Sequence, residues 1–143
     1  DRDISPEGSN YSETQKNLSV ITDQITSINY AAYVSKSTSI LLKKIEDNIE
    51  NERRWGTYHM SGNKSGSWFD FAIHAQKLSR AIDPKSIFSE TIIEPANSKN
   101  FNQKAKRPNY SFLSSDKLKM EFGIKLPNWE ESIFEVIKEN GQK

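Results

Sequence analysis

The arginine that precedes a proline late in the chain has the clearest chemical potential. The planar guanidinium of Arg107 can donate two parallel hydrogen bonds to a diphosphate, and Pro108 stiffens its loop. Lys104 and Lys106 lie beside it, and we expect both to be solvated. An arginine before a proline is also common as a plain surface or hinge residue. The residue types therefore predict an anion site at Arg107 and leave the surface interpretation open.

Residue types that make metal and nucleophilic sites are scarce. The chain has no cysteine, which excludes disulfides, thiolate metal sites and cysteine nucleophiles. Its two histidines, His59 and His74, have no carboxylate or thiol partner at ligand spacing. Glu130, Glu131 and Glu135 are interpreted as helix-start charges and a solvated face. We therefore expect neither a metal centre nor a Ser-His-Asp triad.

Composition narrows the class of protein. The 143 residues suffice for one domain with a core, and 34% of them are hydrophobic. The 20 Lys and Arg against 19 Asp and Glu give a net charge of +1, without the basic excess of a nucleic-acid-binding protein. No apolar run approaches the roughly 18 residues that span a bilayer, and no signal peptide is apparent. We expect a cytoplasmic protein with no nucleic-acid or membrane partner.

Hydrophobic spacing predicts two strands and a helix in the first half. Residues 18–21 are apolar and rich in β-branched side chains, which predicts a buried strand, and residues 23–28 are interpreted as a turn. Helical spacing predicts a helix over residues 29–48, with Asn29 as its N-cap. Residues 56–60 are typical of a second strand.

Capping patterns predict the helices of the second half. Ser67 and Asp70 have the spacing of a capping box, so a helix is expected to begin there and to end at Asp83-Pro84. We expect Trp68, in its first turn, to pack in the core.

An extended piece and two more helices are predicted after it. Residues 87–94 are interpreted as extended, with a polar loop up to Pro108. A helix over residues 115–122 should end at Gly123, and Asn128 with Glu131 should cap the last one. Its inner face is expected to comprise Trp129, Ile133, Phe134 and Ile137.

This order of elements favours an α/β fold with too few strands. Two or three strands make a poor independent sheet, so the first two are expected to need partners that this chain does not supply. No initiator Met precedes Asp1. Both features predict a piece of a longer protein, and the exposed sheet edge leaves pairing into a homodimer open.

Four stretches of the chain carry a family resemblance. They are LSVITDQ at 18–24, WGTYHMSG with SWFDFA within 55–72, AKRPNYSFL with KL within 105–118, and FGIKLPNW at 122–129. Singly each is weak, but at this spacing they resemble the dTDP-4-dehydrorhamnose reductases of the extended short-chain dehydrogenase/reductase superfamily. The resemblance covers nearly the whole chain but only the C-terminal part of the family.

The resemblance implies a fold class and a domain division. The chain is expected to be the α/β C-terminal half of an extended Rossmann-type reductase, with an incomplete parallel sheet of a few strands, about four helices and a small substrate domain. Residues 1–17 would be loop or disordered. Residues 18–66 would supply late strands and a helix of the nucleotide-binding sheet, and residues 67–143 the substrate-binding domain.

The implied activity is reduction of dTDP-4-keto-6-deoxy-L-mannose to dTDP-L-rhamnose by NADPH or NADH. It needs a Tyr with a Lys four residues later, and a Gly-rich turn for the cofactor. The residues four positions after the five tyrosines are Gln15, Val34, Ser37, Gly62 and Ser114. No Gly-rich dinucleotide motif occurs either. We therefore expect no catalytic, cofactor-binding or metal-binding residue here, and a missing N-terminal cofactor domain as partner.

The substrate-binding residues implied by the resemblance are Gln24, Ser27 and Arg107. The family loop reads Gly-Ser-Pro-Thr where this chain has Thr26-Ser27-Ile28-Asn29, so only Ser27 matches. A turn followed by a helix cap is the competing interpretation of this loop. The partner expected for these residues is a dTDP-sugar.

Two alternatives of different kinds stay open. One is a non-catalytic regulatory protein of the same superfamily, like the β subunit of methionine adenosyltransferase. The other is a different nucleotide-sugar reductase or epimerase, which the GIKLPNW ending at residues 123–129 disfavours.

Overall fold

The computed structural model describes residues 17–47, 55–102 and 105–140, and these residues form an α/β fold. Their elements, in chain order, are β1 (Asn17–Ile21), β2 (Ile25–Thr26), α1 (Ala31–Glu46), β3 (Gly66–Ser67), α2 (Trp68–Ile82), α3 (Ile87–Glu90), β4 (Ile92–Ala96), α4 (Asp116–Phe122) and α5 (Trp129–Asn140). The predicted fold class is confirmed. The predicted loop at residues 1–17 lies outside the described residues except for Asn17, which begins β1. No helix within the described ranges is long and apolar enough to cross a bilayer.

The small parallel sheet pairs β1 with β4. Its register runs from Asn17 opposite Ile92 to Ile21 opposite Ala96, and α2 packs against both strands. The expectation that the first strand lacks a partner within the chain is therefore wrong. β4 comes from the part of the chain after residue 66, so the pair joins the two predicted domains.

The interpretation of residues 87–94 as extended is wrong for its first half. Ile87–Glu90 is a short helix because the Ser86 hydroxyl accepts a hydrogen bond from the Ser89 backbone and so caps it. Strand geometry begins only at Ile92. The predicted turn at residues 23–28 contains β2, which pairs antiparallel with β3.

Residues 56–60 do not form the predicted strand. No described strand runs beside them, and side chains hold this stretch against α4 instead. Tyr58 packs edge-to-face on Phe122 with ring centroids 5.2 Å apart. The Lys117 ammonium donates to the Thr57 carbonyl oxygen at 3.1 Å and lies over the Tyr58 ring.

The predicted cap of α1 is also wrong. Tyr30 is the N-cap and makes no side-chain capping hydrogen bond. The Asn29 Oδ1 atom instead accepts from the Gly62 backbone N–H at 2.7 Å. This bond connects the loop before α1 to a residue 33 positions later. The Asn29 amide therefore stabilises a tertiary contact and does not cap the helix.

Local capping predictions hold elsewhere. The Ser67 hydroxyl accepts from the Asp70 backbone while the Asp70 carboxylate accepts from the Ser67 backbone, which completes the capping box. Gly123 ends α4 with φ +67°, a left-handed conformation that favours glycine. At the start of α5, the Glu131 half of the predicted arrangement is present: its carboxylate accepts from the Asn128 backbone N–H at 3.4 Å. Capping by the Asn128 side chain stays a prediction.

Two hydrophobic clusters hold these elements together. The first joins α4 and the residues after it to α1, and comprises Leu118, Phe122, Ile124 and Leu126 with Val34, Leu41, Ile45, Tyr58 and Met60 against it. The second joins α2 to α5 through Phe71, Trp129 and Ile133. Trp129 is buried as predicted. Phe134 is 46% exposed and Trp68 42%, so both predictions of core packing are wrong. Phe134 is one residue beyond the buried stripe and is rotated about 100° out of it.

Candidate functional site

A cleft opens where both strands of the parallel sheet end. Because Ile21 lies opposite Ala96, the residues after each strand meet at one edge. Asp23 and Gln24 follow β1, and Ser98 and Lys99 follow β4 in a short 3₁₀ turn, Ser98–Asn100. The carboxyl ends of parallel strands are where α/β proteins commonly bind ligands.

The opposite wall of the cleft is the extended segment that carries Arg107. Its far end is fixed to β2: the Ile25 backbone N–H donates to the Asn109 carbonyl oxygen at 2.7 Å, and the Ser111 N–H donates to the Ile25 carbonyl oxygen at 2.9 Å.

We call this feature the basic cleft. Its volume is about 250 Å³, and its lining residues are Asp23, Gln24, Ser98, Lys99, Ala105, Lys106, Arg107 and Asn109. Sites for whole drug-sized ligands measure roughly 300 to 1,000 Å³. The basic cleft therefore suits one part of a ligand, such as a diphosphate.

The charge of the basic cleft is mainly positive. Lys99, Lys106 and Arg107 face a single carboxylate, that of Asp23. Both Asp23 oxygens are engaged: Oδ2 accepts from the Ser98 hydroxyl at 2.7 Å and Oδ1 from the Ser98 backbone N–H at 2.8 Å. The hydroxyl bond first and the backbone bond second lower the pKa of Asp23 below its ordinary value. The carboxylate thus stays ionised while its lone pairs face Ser98.

The structure brings together two of the three predicted substrate-binding residues. Gln24 is only 7% exposed, and its amide can both donate and accept hydrogen bonds. It lines the same cleft as Arg107, which is exposed. Lys106, expected to be solvated, is also exposed and lines the cleft.

Ser27 does not line the basic cleft. Its hydroxyl oxygen is buried and has no hydrogen-bond partner among the described residues. It lies against Gly62, where an added Cβ would come within 2.9 Å of it. Its contact with a substrate stays a prediction.

Ser98 and Lys99 were missed by the sequence analysis. They are polar residues in a polar loop, and only the pairing of β4 with β1 brings them to the cleft. A strand prediction at residues 92–96 together with the parallel register would have been needed to find them.

The N-terminus of α2 does not fit the pyrophosphate of a dinucleotide cofactor. A pyrophosphate normally binds at a free helix N-terminus after a Gly-rich turn. Here α2 follows directly after β3, but the Asp70 carboxylate already occupies its N-terminus. Nor do the described ranges contain a cluster of three or more His, Asp or Glu side chains that could hold a metal ion.

A second cleft of about 410 Å³ lies between α2 and α5. Lys64, Lys77, His74 and Trp129 are among its lining residues. The Lys64 ammonium pairs with Glu130 and lies 5.2 Å from the centre of the Trp129 ring, so part of its charge is already balanced. The basic cleft has the larger unpaired positive charge and is the better anion site.

Comparison with known proteins extends these observations. The model of the family described as RmlD substrate binding domain matches residues 9–141. A dTDP-4-dehydrorhamnose reductase from Sinorhizobium fredii is 31% identical over 120 residues, which cover 84% of this chain and 39% of that protein.

Two solved structures of dTDP-4-dehydrorhamnose reductases are similar in fold. The one from Clostridium acetobutylicum has a TM-score of 0.71 at 26% identity, and the match covers 90% of this chain and 40% of that one. The one from Bacillus anthracis, in complex with NADP, has a TM-score of 0.62 at 28% identity and covers 86% and 38%. This chain thus spans about 40% of the length of its relatives. Since the family model matches nearly the whole chain, the chain belongs to the RmlD substrate binding domain family.

Proposed function

We propose that this chain is the sugar-nucleotide-binding part of an NAD(P)H-dependent dTDP-4-dehydrorhamnose reductase. The observation that carries the proposal is the basic cleft at the carboxyl ends of β1 and β4, in a chain of this substrate-binding family. The complete enzyme would reduce dTDP-4-keto-6-deoxy-L-mannose to dTDP-L-rhamnose. NADPH or NADH would supply the hydride from a separate domain, as the NADP complex of a relative suggests.

Each residue of the basic cleft has a definite task in this proposal. Arg107 holds the diphosphate through paired, charge-assisted hydrogen bonds. Gln24, buried at the end of β1, offers an amide to a polar group of the same ligand. Ser27 contacts the substrate only if its buried hydroxyl becomes accessible, which makes it the weakest member of the set.

The proposed partner is the cofactor-bearing domain of the same reductase. Helix α1 turns Val34, Leu41 and Ile45 toward the first hydrophobic cluster. Ile40 and Leu42 nevertheless remain 41% and 56% exposed, and two positions apart on a helix they point about 200° from each other. These exposed apolar side chains, outside the face that packs on the cluster, would be covered by a neighbouring domain.

A division into residues 18–66 and 67–143 is part of the same proposal. Residues 18–66 would extend the nucleotide-binding sheet, and residues 67–143 would close over the sugar. The β1–β4 pair would then hold both parts together. Alone, the chain should not oxidise NADPH with the substrate, because it contains neither a Tyr-x-x-x-Lys pair nor a Gly-rich turn.

The test is binding of dTDP to the 143-residue chain, followed by NMR titration because the affinity of half a cleft is expected to be low. Replacing Arg107 with Ala should weaken binding about tenfold or more, since charged hydrogen bonds contribute roughly 1.5 to 3 kcal/mol. The matched control is Arg107→Lys, which keeps the charge but loses the paired geometry and should retain part of the affinity. Equal binding of dTDP by the wild type and Arg107→Ala would remove Arg107 from the site and contradict the proposal.

A further inference from the structure

The 3₁₀ turn after β4 is held in place by two side chains. Asn97 caps it: its Oδ1 atom accepts from the Lys99 backbone N–H at 3.1 Å. Asp23, which is 75 residues earlier in the chain, accepts two hydrogen bonds from Ser98. Charge-assisted hydrogen bonds to a carboxylate are stronger than neutral ones. The backbone on both sides of Lys99 is therefore fixed relative to β1.

The Lys99 side chain is exposed and lines the basic cleft, and its positive charge is a minor cause of the lowered pKa of Asp23. The nearest carboxylate in the cleft, that of Asp23, directs its oxygens to Ser98. The Lys99 ammonium can therefore meet an anionic ligand.

We propose that Lys99 is a second phosphate-binding residue of the basic cleft, facing Arg107 from the other wall, and that Asp23 is the positioning residue that fixes the turn carrying it. The inference rests on the proposed function for its ligand, a nucleoside diphosphate. Two cations from two walls match a group with two phosphates, and a turn that is already fixed loses little backbone conformational entropy on binding.

The experiment measures the Kd of dTDP for the whole chain by NMR titration. Lys99→Ala should raise Kd about threefold to tenfold, as expected for loss of one exposed charge contact. Lys99→Arg should restore Kd to within about twofold, because it keeps the charge. Lys119→Ala, the same change at an exposed position of α4 outside the cleft, should leave Kd unchanged.

A double-mutant cycle separates positioning from general stability. Ser98→Ala removes the hydroxyl bond to Asp23 and leaves the charge of the cleft unchanged. It should raise Kd in the wild-type background but add nothing in the Lys99→Ala background, since Asp23 acts through Lys99. Asp23→Ala also removes a negative charge that repels the ligand, so any rise in Kd that it causes should be confined to the wild-type background.

The outcomes test separately the role of Lys99, the positioning role of Asp23 and the proposed function. An unchanged Kd in Lys99→Ala, with binding still weakened in Arg107→Ala, overturns this inference and leaves the proposed function intact. A further rise in Kd on adding Asp23→Ala to Lys99→Ala overturns the positioning role. No detectable binding of dTDP to the wild-type chain overturns the proposed function, and this inference with it.

Discussion

At the residue scale, the anion binding proposed for the basic cleft depends on which charged side chains already have hydrogen-bond partners. Arg107 was singled out from the chemistry of its guanidinium, which suits a diphosphate, together with the family resemblance of its loop. Lys99 could not be singled out, because an isolated lysine in a polar loop has no distinguishing neighbour in sequence. The role proposed for it depends on Asp23, whose carboxylate accepts two hydrogen bonds from Ser98 and so fixes the turn that carries the lysine. Ser27 illustrates the opposite case, a motif residue that the fold buries against Gly62.

The lowered pKa of Asp23 makes a testable prediction about pH. Because the folded pKa lies below the unfolded value, the carboxylate contributes stability that is fully present above the unfolded pKa of about 3.9 and is lost as the pH falls through the lower folded pKa. Binding of dTDP should therefore show no step from Asp23 between about pH 5 and 8. An NMR titration of the Asp23 carboxyl carbon measures the midpoint directly.

The control for this titration is a short peptide with the sequence around Asp23, which should titrate at the ordinary value. A midpoint in the folded chain at or above that of the peptide would contradict the hydrogen-bonded arrangement. In Ser98→Ala the midpoint should move up toward the peptide value, because the hydroxyl bond is the largest cause of the shift.

At the element scale, features set by neighbouring residues could be predicted from the sequence, whereas contacts between residues far apart in the chain could not. The capping box of α2 and the left-handed Gly123 were predicted because the residues involved lie within one helical turn. The pairing of β1 with β4 was not, because Leu18 and Ile93 are 75 positions apart and neither strand alone specifies its partner. The wrong strand prediction at residues 56–60 has the same cause. The side chains of these residues favour a strand, but no described strand lies beside them to form backbone hydrogen bonds.

A buried amide side chain links α2 to the residues before β4, and it allows a prediction about stability. Gln76 in α2 is 5% exposed, and its Nε2 atom donates to the carbonyl oxygens of Phe88 at 3.0 Å and Thr91 at 2.5 Å. Gln76→Leu keeps the size of the side chain but removes the donor from both carbonyls. Urea denaturation should show a loss of about 2 kcal/mol in the free energy of unfolding.

The neighbouring exposed residue Lys77 supplies the matched control for this substitution. Lys77→Leu places the same side chain one position later and should change the free energy of unfolding by no more than about 0.5 kcal/mol. Equal effects at both positions would show that the amide does not tie α2 to the residues before β4.

At the scale of the whole molecule, the chain fits the proposal that it forms one side of a sugar-nucleotide-binding site. The basic cleft holds about 250 Å³, and the chain spans about 40% of its relatives' length. Among the described residues the parallel sheet has two strands, whereas such sheets are normally covered and extended by further elements. In the proposed complete reductase, the cofactor-bearing domain would complete the cleft and cover exposed apolar side chains of α1 such as Leu42.

Leu42 provides the last prediction, because it distinguishes a docking surface from a solvent-facing one. In the isolated chain it is 56% exposed, so Leu42→Lys should change the free energy of unfolding by less than about 0.5 kcal/mol. In a complete reductase that contains this chain, the same change would bury an ammonium against the cofactor domain. Melting of the complete protein should then fall well below that of the wild type, with a loss of several kcal/mol or failure to assemble.

Met120 is the matched control, since it is also apolar and is 77% exposed, but lies on α4. Met120→Lys should be tolerated in both the isolated chain and the complete protein, because the proposal places no neighbour over it. If Leu42→Lys is tolerated in the complete protein as well, α1 faces solvent there and the cofactor domain must dock elsewhere. If Leu42→Lys harms only the complete protein, the exposure of Leu42 in the isolated chain is explained by the partner that covers it.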